Sequence, residues 1–237
     1  NLGGMLTPFG NPQNLYLYSF FNIPTAEFTA IMAPPFAAAV IMILLSCLVL
    51  PREPLSLTYR DEIHLPAART AGYLVLFALS IIIVFRFLPY WIGLIIITAA
   101  LLFMDRRALG QVDYGLLGTF FCFFIFAGNM ARIPAVSNLM SGLLEKNTLV
   151  FSVLSCQFIS NVPSAILLSQ FTTDYPALLL GVNIGGAGTL IASLASLITF
   201  REYCAHNPGK AGSYLAKFTA LNFGFAGVLT LIASFIV

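Results

Sequence analysis

Long uncharged stretches alternate with short charged ones along the whole chain. The apolar blocks cover residues 1–26, 28–50, 71–85, 87–104, 108–131 with Asp113 as the exception, 147–173, 175–200 and 218–237. Crossing about 30 Å of hydrocarbon takes roughly 20 apolar residues of helix, and backbone in lipid must satisfy its own hydrogen bonds. The blocks therefore predict an all-α integral membrane protein with about seven passages or re-entrant pairs.

Two kinds of polar interruption sit inside these blocks. The first is Ser160-Asn161-Val162-Pro163-Ser164, which leaves arms of about ten apolar residues on either side, each too short to span. This predicts a re-entrant hairpin over 148–170. A single helix kinked at Pro163 is the alternative, because proline is tolerated where neighbours satisfy the freed backbone groups. The second is a repeated pattern, N-x-G-G-x-x-T, present as Asn1-Leu2-Gly3-Gly4-Met5-Leu6-Thr7 and as Asn183-Ile184-Gly185-Gly186-Ala187-Gly188-Thr189. Glycine pairs beside Asn and Thr weaken a helix and expose carbonyls and amides that lipid cannot satisfy. Each motif reads as the unwound midpoint of an interrupted helix, with half-helix N-termini facing an anion and loose carbonyls holding sodium. Close packing through small residues is the plainer reading. The prolines and amides from Pro8 to Asn14 argue against it in the first copy.

Composition strengthens the membrane assignment. Hydrophobic residues make up 59% of the chain and charged ones 8%, with a mean hydropathy of +0.93, whereas a soluble domain carries about a quarter charged residues. A net charge of +2 provides no basic patch for nucleic acid. Cys47, Cys122, Cys156 and Cys204 are scattered without disulfide or zinc spacing, so no metal site is expected. Gly186-x-Gly188-x-x-Ala192 fits a relaxed dinucleotide fingerprint, but no bounded strand precedes it and no acidic residue follows at the required distance. Nucleophile, base and metal ligands are lacking at membrane depth, so an enzyme is not expected. A channel or structural membrane subunit is the remaining alternative class.

Cationic residues orient the chain. Arg52, Arg60, Arg69, Arg106, Arg107, Arg201, Lys210 and Lys217 fall on one side of the alternation, against Arg86, Arg132 and Lys146 on the other. Loops 51–70, 105–113 and 201–217 are accordingly expected on the cytoplasmic side of a multi-pass protein of the cell's inner (plasma) membrane. That alternation holds only if 148–170 does not cross. It also sets the two N-x-G-G-x-x-T copies on segments of opposite direction, as an inverted repeat requires. Glu27, Asp113 and Asp174 fall at block edges and read as interfacial, Arg132 reads as an interfacial anchor, and 133–146 as an amphipathic connecting helix.

These three motifs together resemble the ion transporter superfamily, in its citrate-transporter-like and arsenite-permease-like branch of divalent-anion symporter relatives. The resemblance implies two inverted repeats, each with a re-entrant hairpin followed by an interrupted helix. On that plan 1–50 closes the first repeat, 51–70 is a linker, and 71–237 is the second repeat with its hairpin at 148–170 and interrupted helix at 176–200. The chain would be a fragment lacking the first part of repeat one. The implied function is secondary active transport of an anion, citrate or another dicarboxylate or an inorganic oxyanion, coupled to sodium or protons by alternating access. Asn161-Val162-Pro163 departs from the Ser-Asn-Thr tip of dicarboxylate carriers and is closer to arsenite/antimonite efflux permeases and sodium/proton antiporters of the same fold. Expected substrate ligands are Asn11, Asn14, Gln157, Ser160, Asn161, Ser164, Asn183 and Thr189. Expected sodium ligands are Gly3, Gly4, Thr7, Asn161, Gly185, Gly186 and Gly188. No cofactor is expected apart from sodium as a coupling ion. The expected partners are a small anion, the lipid bilayer and, as in dicarboxylate members, a second copy of the chain.

Overall fold

The computed structural model describes residues 1–49 and 66–237. All regular elements among them are helical. In chain order these are α1 (Pro12–Phe20), α2 (Thr25–Val49), α3 (Ala67–Val84), α4 (Tyr90–Met104), α5 (Arg106–Gly110), α6 (Tyr114–Ala131), α7 (Pro134–Lys146), α8 (Thr148–Ile159), α9 (Asn161–Leu168), α10 (Tyr175–Ile184), α11 (Leu194–His206) and α12 (Ala211–Ala233). Single 3-10 turns at Leu2–Gly4 and Leu190–Ala192 precede α1 and α11.

Among the described residues, four helices are long and apolar enough to cross a membrane: α2, α3, α6 and α12. Their outward faces carry large apolar side chains, among them Leu48, Val49, Leu74 and Phe121. In water such a surface would be strongly unfavourable; in hydrocarbon it costs nothing. The interior holds polar side chains beside its apolar core. Gln13, Asn14, Gln157, Asn161, Ser164, Asn183 and Ser193 are all buried.

The chain forms two compact units, one of residues 1–45 with 116–237 and the other of 46–115. In the smaller unit α3 and α4 pair antiparallel: Ile83 packs against Gly93, and Met104 against Gly72. Arg69 and Tyr73 of α3 both bond Asp105 at the end of α4, the Tyr73 hydroxyl donating at 2.6 Å. In the larger unit α10 is the central element, with every residue from Ala177 to Ile184 buried. It is too short to span alone. Asp174 caps its start by accepting from the Ala177 amide at 3.3 Å. Amphipathic α7 lies against this core through Val136, Met140 and Leu144, spaced four apart on one face.

Charged residues proved poor markers of helix ends. Arg201 and Glu202 lie within α11 and Lys217 within α12, so the loop expected at 201–217 shrinks to Asn207–Lys210. Helix propensity permits Arg and Glu inside a helix, whereas Pro208 and Gly209, the latter at φ +83°, end it. Arg69 likewise belongs to α3, and the expected linker 51–70 lies outside the described residues up to residue 65. The block 1–26 is no continuous span, since α1 covers nine residues and an irregular segment from Met5 to Asn11 precedes it.

Candidate functional site

The polar break in 147–173 is a reversal. Ser155 and Ser164 are nine positions apart, which would separate them by about 13 Å along a straight helix at 1.5 Å per residue. Their hydroxyls are 3.1 Å apart. α8 and α9 therefore fold back on each other as a hairpin with Ser160 at the tip. Ser160 has φ +72°, a conformation that costs a non-glycine residue about 1–3 kcal/mol and that surrounding structure must hold. Pro163 is harmless because it occupies the first turn of a new helix, where no carbonyl awaits an amide. The Asn161 side chain accepts from the Val162 amide at 2.9 Å and reinforces that start.

The second N-x-G-G-x-x-T copy unwinds. α10 ends at Ile184 and α11 does not begin until Leu194. Gly188 sits at φ +133°, open only to glycine at low strain. A Cβ there would strike the Gln157 carboxamide, and a Cβ on Gly186 would strike the Asn1 side chain. The two copies of the motif thus touch, Asn1 of one lying on Gly186 of the other.

Carboxamides tie these segments together. Asn183 donates to Asn14 Oδ1 at 2.6 Å and to the Leu179 carbonyl at 2.8 Å, while its own Oδ1 accepts from Gln13 at 3.2 Å and Asn11 at 3.5 Å. Asn14 donates toward the carbonyls of Gly4, Met5 and Thr7 at 3.2–3.3 Å. Gln157 donates to the carbonyls of Gly185 at 2.8 Å and Ala187 at 3.2 Å and accepts from the Thr189 amide at 2.9 Å. Thr189 returns a bond from its hydroxyl to the Gln157 carbonyl at 3.0 Å. Ser160 donates to the Ala192 carbonyl at 3.3 Å, and Asn161 to Asn1 Oδ1 at 3.4 Å.

In front of this framework lies a cavity of about 450 Å³. Its polar lining is Asn1, Asn11, Gln13, Ser160, Asn161 and Ser193, and Leu116, Thr119, Phe120 and Phe123 of α6 form an opposing wall. None of the residues that line it is charged. Three helices begin on it: α1 at Asn11–Gln13, α9 at Ser160–Pro163, and α11 at Ser193–Ala195. Among the described helices, α8 ends there, at Ile159. First-turn amides have no carbonyl within their own helix, and each helix start carries about half a positive charge. A second cavity of about 320 Å³ shares Asn1, Ser193 and Ala195 and adds, among others, Gly3, Gly186, Ser196, Thr199 and Asn222.

Of the expected ligands, Asn11, Ser160 and Asn161 face the first cavity, and Gly3 and Gly186 the second. Asn14, Gln157, Ser164, Asn183 and Thr189, with Gly4, Thr7, Gly185 and Gly188, line neither and form the framework behind. Arg132 is exposed at the end of α6 and also lines neither cavity. Gln13, Ser193 and the α6 aromatics were not among the expected ligands. Ser193 had a legible signal: its Oγ accepts from the Ser196 amide at 3.3 Å, a serine cap that starts a helix within an apolar block.

A helical membrane protein in which a hairpin tip and two non-helical segments border one cavity lined by polar and apolar side chains has the arrangement of a membrane carrier. The chain belongs to the citrate transporter family, whose model matches residues 1–175. It is 36% identical over 204 residues to an uncharacterized transporter of Methanocaldococcus jannaschii and 34% identical over 209 residues to the inner membrane protein YbiR of Escherichia coli K12. Each match covers 85% of this chain and 55% of the relative, so the chain spans about half the length of the curated relatives it matches. No solved structure matches it significantly.

Proposed function

We propose that this chain forms the substrate-binding part of a secondary carrier that moves a small anion across the cell's inner membrane by alternating access. The observation that carries the reading is the convergence of three helix N-termini on one uncharged cavity. Each helix start favours a negative charge by up to about 2 kcal/mol in partly buried geometry, and Asn11, Gln13 and Asn161 add side-chain amides. Coupling to a sodium or proton gradient, the two-repeat plan and a dimeric assembly belong to the same reading and rest on the family resemblance.

A neutral oxyacid such as arsenite is the second reading. Phe120, Phe123 and Leu116 make the opposing wall apolar, and no cationic side chain lines the cavity to reward full ionisation. The test is the thermal stability of the intact protein with citrate, succinate, sulfate, arsenite or sodium. A ligand at a hundred times its Kd adds about 2.7 kcal/mol. A rise with a carboxylate or sulfate supports the anion reading, a rise with arsenite alone supports the second, and saturable uptake must accompany either. A response to none of the solutes, with no uptake, overturns both.

A further inference from the structure

An unwound stretch of helix in a membrane must find donors for its freed carbonyls, and bound cations are one source. The break between α10 and α11 and the irregular segment before α1 both find a donor of another kind. At the former, the Gln157 amide nitrogen faces two carbonyl oxygens of the break, Gly185 at 2.8 Å and Ala187 at 3.2 Å, besides the Val153 carbonyl of its own helix at 3.0 Å. At the latter, the Asn14 amide nitrogen faces the carbonyls of Gly4, Met5 and Thr7. Under the N-x-G-G-x-x-T alignment Met5 corresponds to Ala187, and Gly4 and Thr7 to Gly186 and Thr189. Two unrelated positions, one seven to ten residues downstream of the carbonyls it faces and one on the preceding hairpin arm, have converged on a single device.

The backbone of the second break is shaped to this side chain. Gly188 adopts φ +133° beside the Gln157 carboxamide and has no room for a Cβ. The orientation of the amide is unambiguous, since the Thr189 N–H donates to Oε1 at 2.9 Å and leaves the nitrogen for the carbonyls. Gln157 itself is buried.

We propose that Gln157 is a resident stand-in for a cation: its amide nitrogen fills the carbonyl cage of the 185–189 break, which therefore keeps its shape with no sodium bound to those carbonyls. This deepens the carrier reading, on which it rests only for its consequence, namely that any sodium coupled to transport is held elsewhere. Gln157 is a positioning residue that acts through the break. The sequence-based expectation of sodium on the Gly185 carbonyl is replaced by a neutral donor supplied by the chain itself.

The test is thermal melting of the intact protein in sodium chloride against choline chloride, for wild type, Gln157→Ala and the isosteric Gln157→Glu. Any saturable sodium shift of the wild type is expected to persist in both variants, because it reports sodium held away from this break. Gln157→Ala should melt lower and regain part of the loss on sodium titration, with a Tm shift that saturates. Gln157→Glu covers the case in which the alanine variant fails to fold. Its carboxylate among carbonyls should make melting sodium-dependent, and higher at about pH 5 than at about pH 8, because only the protonated acid donates to the carbonyls. The proposal is overturned if Gln157→Glu melts as the wild type does in both salts and at both pH values. It is equally overturned if the wild type shows a saturable sodium shift that either variant abolishes. A Tm shift of the wild type with citrate, sulfate or arsenite reads the carrier assignment separately.

Discussion

Replacing Gly188 by alanine tests the architecture of the break most directly. At φ +133° an L-residue is strained by about 1–3 kcal/mol. The new methyl would also meet the Gln157 carboxamide and displace it from the Gly185 and Ala187 carbonyls and the Thr189 amide. Losing two of those three bonds removes about 1–3 kcal/mol at the usual net worth of a neutral hydrogen bond. Gly188→Ala is therefore expected to destabilise the protein by about 2–6 kcal/mol. The control is Gly142→Ala in α7, where a Cβ meets nothing within 4 Å and helix propensity predicts a gain of up to about 1 kcal/mol. Both variants are unfolded by denaturant titration in the same detergent, which cancels effects of the micelle. If Gly188→Ala proves no less stable than Gly142→Ala, the break is not built around Gln157 and the reasoning fails.

Other expectations follow from the same geometry. Asn183→Ala should cost about 2–4 kcal/mol, since it strands the buried Asn14 Oδ1 and Gln13 amide, and equal stability to wild type would show those bonds to be idle. Asn161→Ala faces the cavity and should cost only about 1 kcal/mol, the net worth of a neutral hydrogen bond, while substrate uptake falls about tenfold or more, equivalent to about 1.4 kcal/mol; unchanged uptake would remove Asn161 from the site. In a background without the four native cysteines, Ser155→Cys with Ser164→Cys should form a disulfide under mild oxidation, which a straight helix could not do across about 13 Å. Hydrogen bonds from Tyr73 and Arg69 hold the Asp105 carboxyl below the usual carboxylate range. A depressed folded-state pKa means that this stabilisation is present above the ordinary carboxylate pKa and is lost as pH falls through the lowered value. Asp105→Asn should thus flatten the acid limb of the melting profile, and an unaltered limb would refute the role.

Much of the plan can be read from residue order because lipid is a severe solvent. A segment such as Thr25–Val49 has no stable state but a membrane helix, so α2, α3, α6 and α12 follow from hydropathy alone. The hairpin and the interrupted helix were legible too, since Ser160 to Ser164 and Asn183 to Thr189 place polar backbone where only a cavity or other protein can satisfy it. Helix ends at Arg201 and Lys217 were misread because a charge marks an interface without stopping a helix. The site was legible in outline and not in its roles. Asn14, Gln157 and Asn183 carry the same amide as Asn11 and Asn161, and nothing in their local sequence separates those that brace the breaks from those that face the cavity.

The sequence alone determined the solvent, the helical class and the places where helices must break, because each depends on local balances of apolar length and backbone satisfaction. Tertiary structure alone decided which amide closes which carbonyl cage. Asn14 bonds Asn183 across 169 positions and Gln157 bonds Ala187 across 30. It also decided that three helix starts, far apart in the chain, open onto one cavity, because only folding brings separate helix ends to a common lining.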